Sequence, residues 1–157
     1  MRRLAVLALV LTVWGCGGGQ EDADDLKKYV NAMKKMDGYN KQVKDTITNL
    51  DEPSYEITKA DLDKARRLVD TYVDEVRKVE QPAYRELRRA YDNYLRKLEL
   101  AAEQAVDTGR ELRRERGNVA IALREIENLT KRHYKSGVDL LWGRQNMGGE
   151  MPLQWPK

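Results

Sequence analysis

Apolar side chains recur along most of this chain at alternating spacings of three and four residues. The first run of such positions consists of Leu26, Tyr29, Met33, Met36, Val43, Ile47 and Leu50. A seven-residue repeat of this kind lies on one side of an α-helix and is typical of helices that pack along a narrow apolar seam. Asn40 is a polar residue at a seam position of this run. The pattern predicts a helix from about Asp22 to Leu50, with Pro53 closing the segment.

Two further runs continue the repeat. The second consists of Leu62, Ala65, Val69, Tyr72, Val76 and Val79, and the third of Tyr84, Leu87, Tyr91, Tyr94, Leu98, Ala101 and Ala105. Thr58 and Asp61 form a capping-box pattern before the second run. This pattern predicts a helix from about Lys59 to Glu80. Pro82 suits the first turn of a third helix, and the change of seam phase there indicates a corner.

The chain from residue 82 to residue 142 allows two interpretations. Counting by sevens from Tyr84 gives an unbroken register that includes Leu112, Val119, Ile126, His133 and Leu140. That register favours a single helix, which would be about 90 Å long. A capping-box pattern at Thr108 to Glu111, which contains Gly109, favours two antiparallel helices, as in a compact bundle. We favour a turn near Gly109 and a last helix that ends near Trp142.

These patterns together predict an all-α fold, an antiparallel bundle of three to four long helices over residues 26–142. Residues 16–25 begin with Cys16 and three glycines and continue into an acidic run, which is typical of a flexible tether. Residues 143–157 contain three glycines and two prolines without any period, and they predict an irregular, extended tail. We expect the apolar side chains Trp142, Met147, Met151 and Trp155 to pack back onto the bundle.

The first fifteen residues have the organisation of an export signal. Arg2 and Arg3 precede an apolar stretch from Leu4 to Trp14. As a helix this stretch would be roughly 16 Å long, about half of a hydrocarbon core, so it is too short for a stable membrane span. Residues 1–15 are therefore predicted to be a signal peptide.

The end of this segment, Val13-Trp14-Gly15-Cys16, resembles the lipobox of bacterial lipoproteins, in which an aliphatic residue, a loosely specified residue and a small residue precede the cysteine. The resemblance implies lipidation of Cys16 and removal of the signal before it, with the lipid bilayer as a partner. Two or more acyl chains anchor a protein stably. Gly17, in place of Asp, implies an outer-membrane destination, facing the periplasm or the cell surface.

Composition excludes several other classes of partner and site. Without Arg2 and Arg3, the 29 basic residues fall to 27 against 26 acidic ones, so net charge indicates no particular partner. Export makes nucleic acid an unsuitable partner. Cys16 is the only cysteine, which excludes an intrachain disulfide and a thiolate metal site.

Sequence motifs for catalysis are missing as well. His133 is the only histidine, and no serine or cysteine is placed as a nucleophile by a motif. Thr130 stands where a Glu-x-x-His metal motif would need its glutamate. We expect a partly buried or boundary histidine, no metal, no cofactor and no enzymatic activity.

Two functional hypotheses follow. The first is a membrane-anchored envelope lipoprotein whose helical domain binds envelope proteins or cell-wall polymer. The alternative is a small-ligand-binding or chaperone-like bundle with a tyrosine-rich interior, for which Tyr84, Tyr91 and Tyr94 are the candidate ligand-binding residues. A pocket bordered by these three rings would favour the alternative, and tightly interlocked aromatic side chains would favour the first hypothesis.

Overall fold

The computed structural model describes residues 18–105 and 112–157, and within these ranges the chain forms four long helices and no strand. The first helix consists of the α-helical segment Gly18–Met33, a 3₁₀ turn at Lys34–Met36 and the α-helical segment Asp37–Asp51. The second and third helices are Lys59–Arg77 and Arg85–Gln104. The fourth consists of Leu112–Arg132, a π-helical segment at His133–Asp139 and a final α-helical segment at Leu140–Arg144.

Contacts between helix ends show that neighbouring helices are antiparallel. Arg116, near the start of the fourth helix, donates to the carbonyl of Leu50 at the end of the first. Arg144, at the other end of the fourth helix, pairs with Glu86 at the start of the third, at 2.9 Å. The predicted all-α antiparallel bundle is confirmed.

The chain also reverses direction between the third and fourth helices. The hydroxyls of Tyr94 and Thr130 lie 2.8 Å apart although 36 residues separate them in sequence. In one straight helix the same separation would be about 54 Å. Two helices, as favoured from the capping-box pattern, are therefore correct, while Gly109 itself lies outside the described residues.

The first helix begins earlier than the periodicity predicted, at Gly18 instead of Asp22. Residues 18–25, assigned to the tether from their composition, belong to this helix. The acidic run suits the positive end of the helix dipole. Ala23 is buried, and Asp25 accepts a 2.9 Å hydrogen bond from the backbone N–H of Tyr84. The start of the first helix is thus joined to the start of the third.

The second helix begins with the predicted capping box. The N–H of Asp61 donates to the Thr58 hydroxyl at 3.2 Å, and the N–H of Thr58 donates to the Asp61 carboxylate at 2.9 Å. These reciprocal bonds satisfy backbone donors that have no partner inside the helix. The hydrogen bonds from Thr58 also lower the pKa of Asp61.

The core lies where the apolar seams of the four helices meet, and its largest fully buried side chains include Leu26, Met33, Leu62, Tyr72, Leu87, Leu98, Leu123 and Ile126. The tail is irregular, as predicted, and it packs back onto this core. Leu153 is only 2% exposed, and the Trp155 ring packs against the cluster beneath the ammonium group of Lys131. Across the described residues, no helix combines the length and apolar character that a membrane span would require.

Candidate functional site

A network of buried hydroxyl and amide groups crosses the centre of the bundle. Every helix contributes to it: Asn40 from the first, Tyr72 from the second, Tyr94 from the third, and Thr130 and Tyr134 from the fourth. The side chains of all five are buried. Because a desolvated hydroxyl or amide without a partner is costly, these groups fix how the four helices meet.

The hydrogen bonds of the network form a consistent set. Tyr72 donates to Oδ1 of Asn40 at 2.7 Å, and Nδ2 of Asn40 donates to the Tyr134 hydroxyl at 3.1 Å. Thr130 donates back to the carbonyl of Ile126 at 2.8 Å, so its oxygen can accept from Tyr94. Burial raises the pKa of Tyr72, Tyr94 and Tyr134. The phenols are therefore neutral and act as hydrogen-bonding groups.

His133 lies beside this network and pairs with a fourth buried tyrosine. Its Nε2 is 2.7 Å from the hydroxyl of Tyr29 on the first helix. Its ring stacks on Tyr94, with centroids 4.3 Å apart and planes 2° from parallel. The side chain is 5% exposed, and burial lowers the pKa of His133 to about 3. The ring is consequently neutral near pH 7. It is more deeply buried than the partly buried or boundary position expected for it.

A cleft of about 250 Å³ opens on the outer side of the His133 ring, between the third and fourth helices. Its lining consists of Ala90, Asn93, Tyr94, Lys97, Leu129, Arg132, His133, Ser136 and Gly137. Gly137 keeps the space next to the ring open, because a Cβ there would come within 3.0 Å of Nδ1 of His133. The cleft is thus small, has both polar and apolar side chains in its lining, and is bordered by two cations.

The three tyrosines proposed as ligand-binding residues occupy different surroundings. Tyr94 belongs to the central network and also lines the cleft beside His133. Tyr91 packs edge-to-face on Tyr29 and donates to the carbonyl of Val76 near the end of the second helix, at 3.1 Å. Tyr84 is half-buried and immediately precedes the third helix. Of the three, Tyr94 is the one that borders the cleft.

Sequence reasoning identified Asn40 and the seam tyrosines but not the pairing of His133 with Tyr29. The signal available was the seam position of His133, which indicated burial without indicating a partner. Cys16 lies outside the described residues, so its predicted lipidation stays a prediction. Within residues 18–105 and 112–157, no group of three or more His, Cys, Asp and Glu side chains is arranged to hold a metal ion.

Comparison of the chain with protein-family models, with curated proteins and with solved structures finds no match.

Proposed function

We propose that this chain is a lipid-anchored protein of a bacterial cell envelope, held at the outer membrane through Cys16, with a non-enzymatic helical domain that binds envelope proteins or cell-wall polymer. The observation that carries the proposal is the lipobox-like stretch Val13 to Cys16 placed directly before a folded bundle. Gly17 alone separates Cys16 from the first residue of the first helix, Gly18.

This short connection has a geometric consequence for the anchored protein. Two residue steps span at most about 7 Å, so the start of the first helix would lie close to the acylated residue. The start of the third helix is joined to the same end through Asp25 and Tyr84. In the proposed arrangement this end of the bundle faces the membrane, and the opposite end, near Asp51 and Lys59, points away from it.

The state of His133 supports a non-enzymatic domain. An efficient general base has a pKa near the operating pH, whereas burial lowers the pKa of His133 to about 3. Its Nε2 is also occupied by the Tyr29 hydroxyl. The ring is therefore a neutral hydrogen-bonding group and a poor proton acceptor at neutral pH.

Exposed apolar side chains on the outer face of the third and fourth helices support an interaction role. Leu100 and Ile121 are each 54% exposed and border the same groove between the two helices. Lys97 and Arg132 flank this groove. Neighbouring apolar side chains with charges beside them are common at protein contact surfaces.

The anchoring part of the proposal is tested by fractionating a Gram-negative host that expresses the full chain. We expect the protein in the outer-membrane fraction, and Cys16→Ser in soluble or unprocessed form. Gly17→Ser is the matched control, because it changes the adjacent residue and keeps the cysteine. Gly17→Asp should move the protein to the inner membrane. A Cys16→Ser product that stays tightly membrane-bound at the mature mass would refute the anchor.

The interaction part is tested by placing a photo-cross-linking amino acid at position 100 or 121 of the anchored protein in cells. We expect a discrete cross-linked product at both positions. Position 55 is the control, because Tyr55 is also exposed, at 42%, but lies in the loop before the second helix. Equal or absent cross-linking at all three positions would contradict the use of this face.

A further inference from the structure

The cleft beside His133 has an unusual balance of polar groups. Among the residues that the structure describes, its lining contains two cationic side chains, Lys97 and Arg132, and no carboxylate. It also contains the amide of Asn93 and the hydroxyl of Ser136. Arg132 already pairs with Glu125 at 3.2 Å, and Glu125 lines the adjoining groove, so Lys97 is the main source of positive charge. In a chain with almost equal numbers of acids and bases, this local excess of donors favours an anionic group.

His133 provides a further polar group in the lining of the cleft. The Tyr29 hydroxyl lies 2.7 Å from Nε2, and burial raises the pKa of Tyr29, so the phenol keeps its proton. When that proton is donated to Nε2, the single proton of the neutral imidazole is on Nδ1. Nδ1 is the nitrogen next to Gly137, on the side of the cleft.

Local backbone structure keeps this nitrogen accessible. The fourth helix is π-helical from His133 to Asp139, and such widened turns are frequent at functional sites. Gly137 lies within this segment, where a Cβ would be 3.0 Å from Nδ1 of His133 and 3.4 Å from the Cβ of Ala90. A side chain larger than hydrogen at position 137 would therefore occupy the space in front of the ring.

We propose that this cleft binds the carboxylate or phosphate group of a small anion, which would accept a hydrogen bond from Nδ1–H of His133 and be neutralised by Lys97. Asn93 and Ser136 provide further donors at the rim. A cleft of about 250 Å³ has room for such a group and for a short substituent. The site is independent of the lipid anchor, since it uses only residues of the third and fourth helices together with Tyr29.

Because His133 is the only histidine, ¹⁵N-histidine labelling of the full chain reports on this site alone. The free protein should show a neutral ring with its proton on Nδ1 at pH 7. Titration with inorganic phosphate or with acetate, at constant ionic strength set with chloride, should shift the Nδ1 resonance saturably. A third titration uses vesicles that contain phosphatidylglycerol. It shows whether the bound phosphate group can belong to a lipid headgroup or only to a free anion.

Single substitutions distinguish anion binding in the cleft from a general effect of the protein's charge. Lys97→Gln should weaken the binding by about tenfold, since a charge-assisted contact is lost, and Gly137→Ala should abolish it. Lys135→Gln removes one charge from the same π-helical segment but outside the cleft, and it should bind like the wild type. If Gly137→Ala does not fold, the comparison of Lys97→Gln with Lys135→Gln decides whether the cleft binds the anion. The absence of a saturable shift in all three titrations, or equal binding by these two lysine variants, would overturn the proposal.

Discussion

The hydroxyl of Tyr72 donates a 2.7 Å hydrogen bond to Oδ1 of Asn40, and this bond joins the second helix to the first inside the bundle. Asn40 is fully buried at a position of the heptad seam that apolar residues usually occupy. A single buried polar residue at such a position lowers stability but specifies register and partner helices. We infer that the pair selects this helix alignment over alignments shifted by a heptad.

Removing the Tyr72 hydroxyl should destabilise the bundle although it creates only a small cavity. In Tyr72→Phe, Oδ1 of Asn40 loses its donor in a water-free interior, which costs about 1–3 kcal/mol. Urea unfolding followed by circular dichroism measures this loss. Tyr55→Phe is the matched control, because Tyr55 is 42% exposed and its hydroxyl hydrogen-bonds the Asp61 carboxylate at the surface, and it should change stability by less than about 1 kcal/mol. Equal effects of the two changes would contradict the role of the network.

The buried carboxylate of Glu115 should contribute more than an exposed ion pair. Glu115 is 5% exposed, accepts from Nζ of Lys59 at 2.7 Å and lies 3.3 Å from Nη2 of Arg66. Glu115→Gln should reduce the free energy of unfolding by about 1–3 kcal/mol, because the cations are only partly buried.

Glu99→Gln is its control, since the pair of Glu99 with Arg77 is largely exposed and should contribute about 0–1 kcal/mol. Chemical denaturation of both variants provides the comparison. A smaller effect at Glu115 than at Glu99 would show that the buried carboxylate is unimportant.

Stability should depend on pH through His133. Its pKa is about 3 in the folded protein and 6.5 in the unfolded chain, because burial opposes a positive ring. Between these values the unfolded chain binds the proton and the folded protein does not. This contribution is therefore fully present above about pH 6.5 and is lost as the pH falls, by at most about 1.4 kcal/mol per unit.

Comparing wild type with His133→Gln isolates this effect, because both proteins share every other titrating group. Denaturant unfolding from about pH 4 to pH 7 should show a steeper fall in stability for the wild type. Parallel curves would mean that the ring is protonated inside the folded protein.

The tail should add to the stability of the core. Leu153 is 2% exposed, so Leu153→Ala should cost about 2–5 kcal/mol. Gln154→Ala, at the exposed neighbouring position, should have little effect. Thermal unfolding of the two variants tests the difference, and a Leu153→Ala protein as stable as the Gln154→Ala protein would show that the tail is not docked in solution.

The periodicity of apolar residues is sufficient to predict the helices, because successive buried positions on one face of a helix are three or four residues apart. The seam of the first run alone predicts that Asn40 lies in the interior, and the pattern at Thr58 predicts the start of the second helix. The favoured reversal near Gly109 also depended on local signals, a glycine and a capping-box pattern.

Partners across the bundle could not be derived in this way. Tyr29 and His133 are 104 residues apart, and heptad spacing does not say which seam faces which. The π-helical segment shifts the seam by one residue, since Leu140, which the count by sevens includes, is 56% exposed while Leu141 is buried. Heptad counting gives no signal for such a shift. Leu153 lies in a tail segment without periodic apolar residues. The spacing of residues there predicts neither the burial of Leu153 nor the place where the tail packs on the bundle.

Intact mass analysis of the native protein, extracted from membranes of the producing cell, tests the lipid-anchored account most directly. The account predicts a chain that begins at Cys16 and carries a diacylglyceryl group on the thiol and an acyl group on the amine. A chain with a free thiol at position 16, with or without its first fifteen residues, would contradict it.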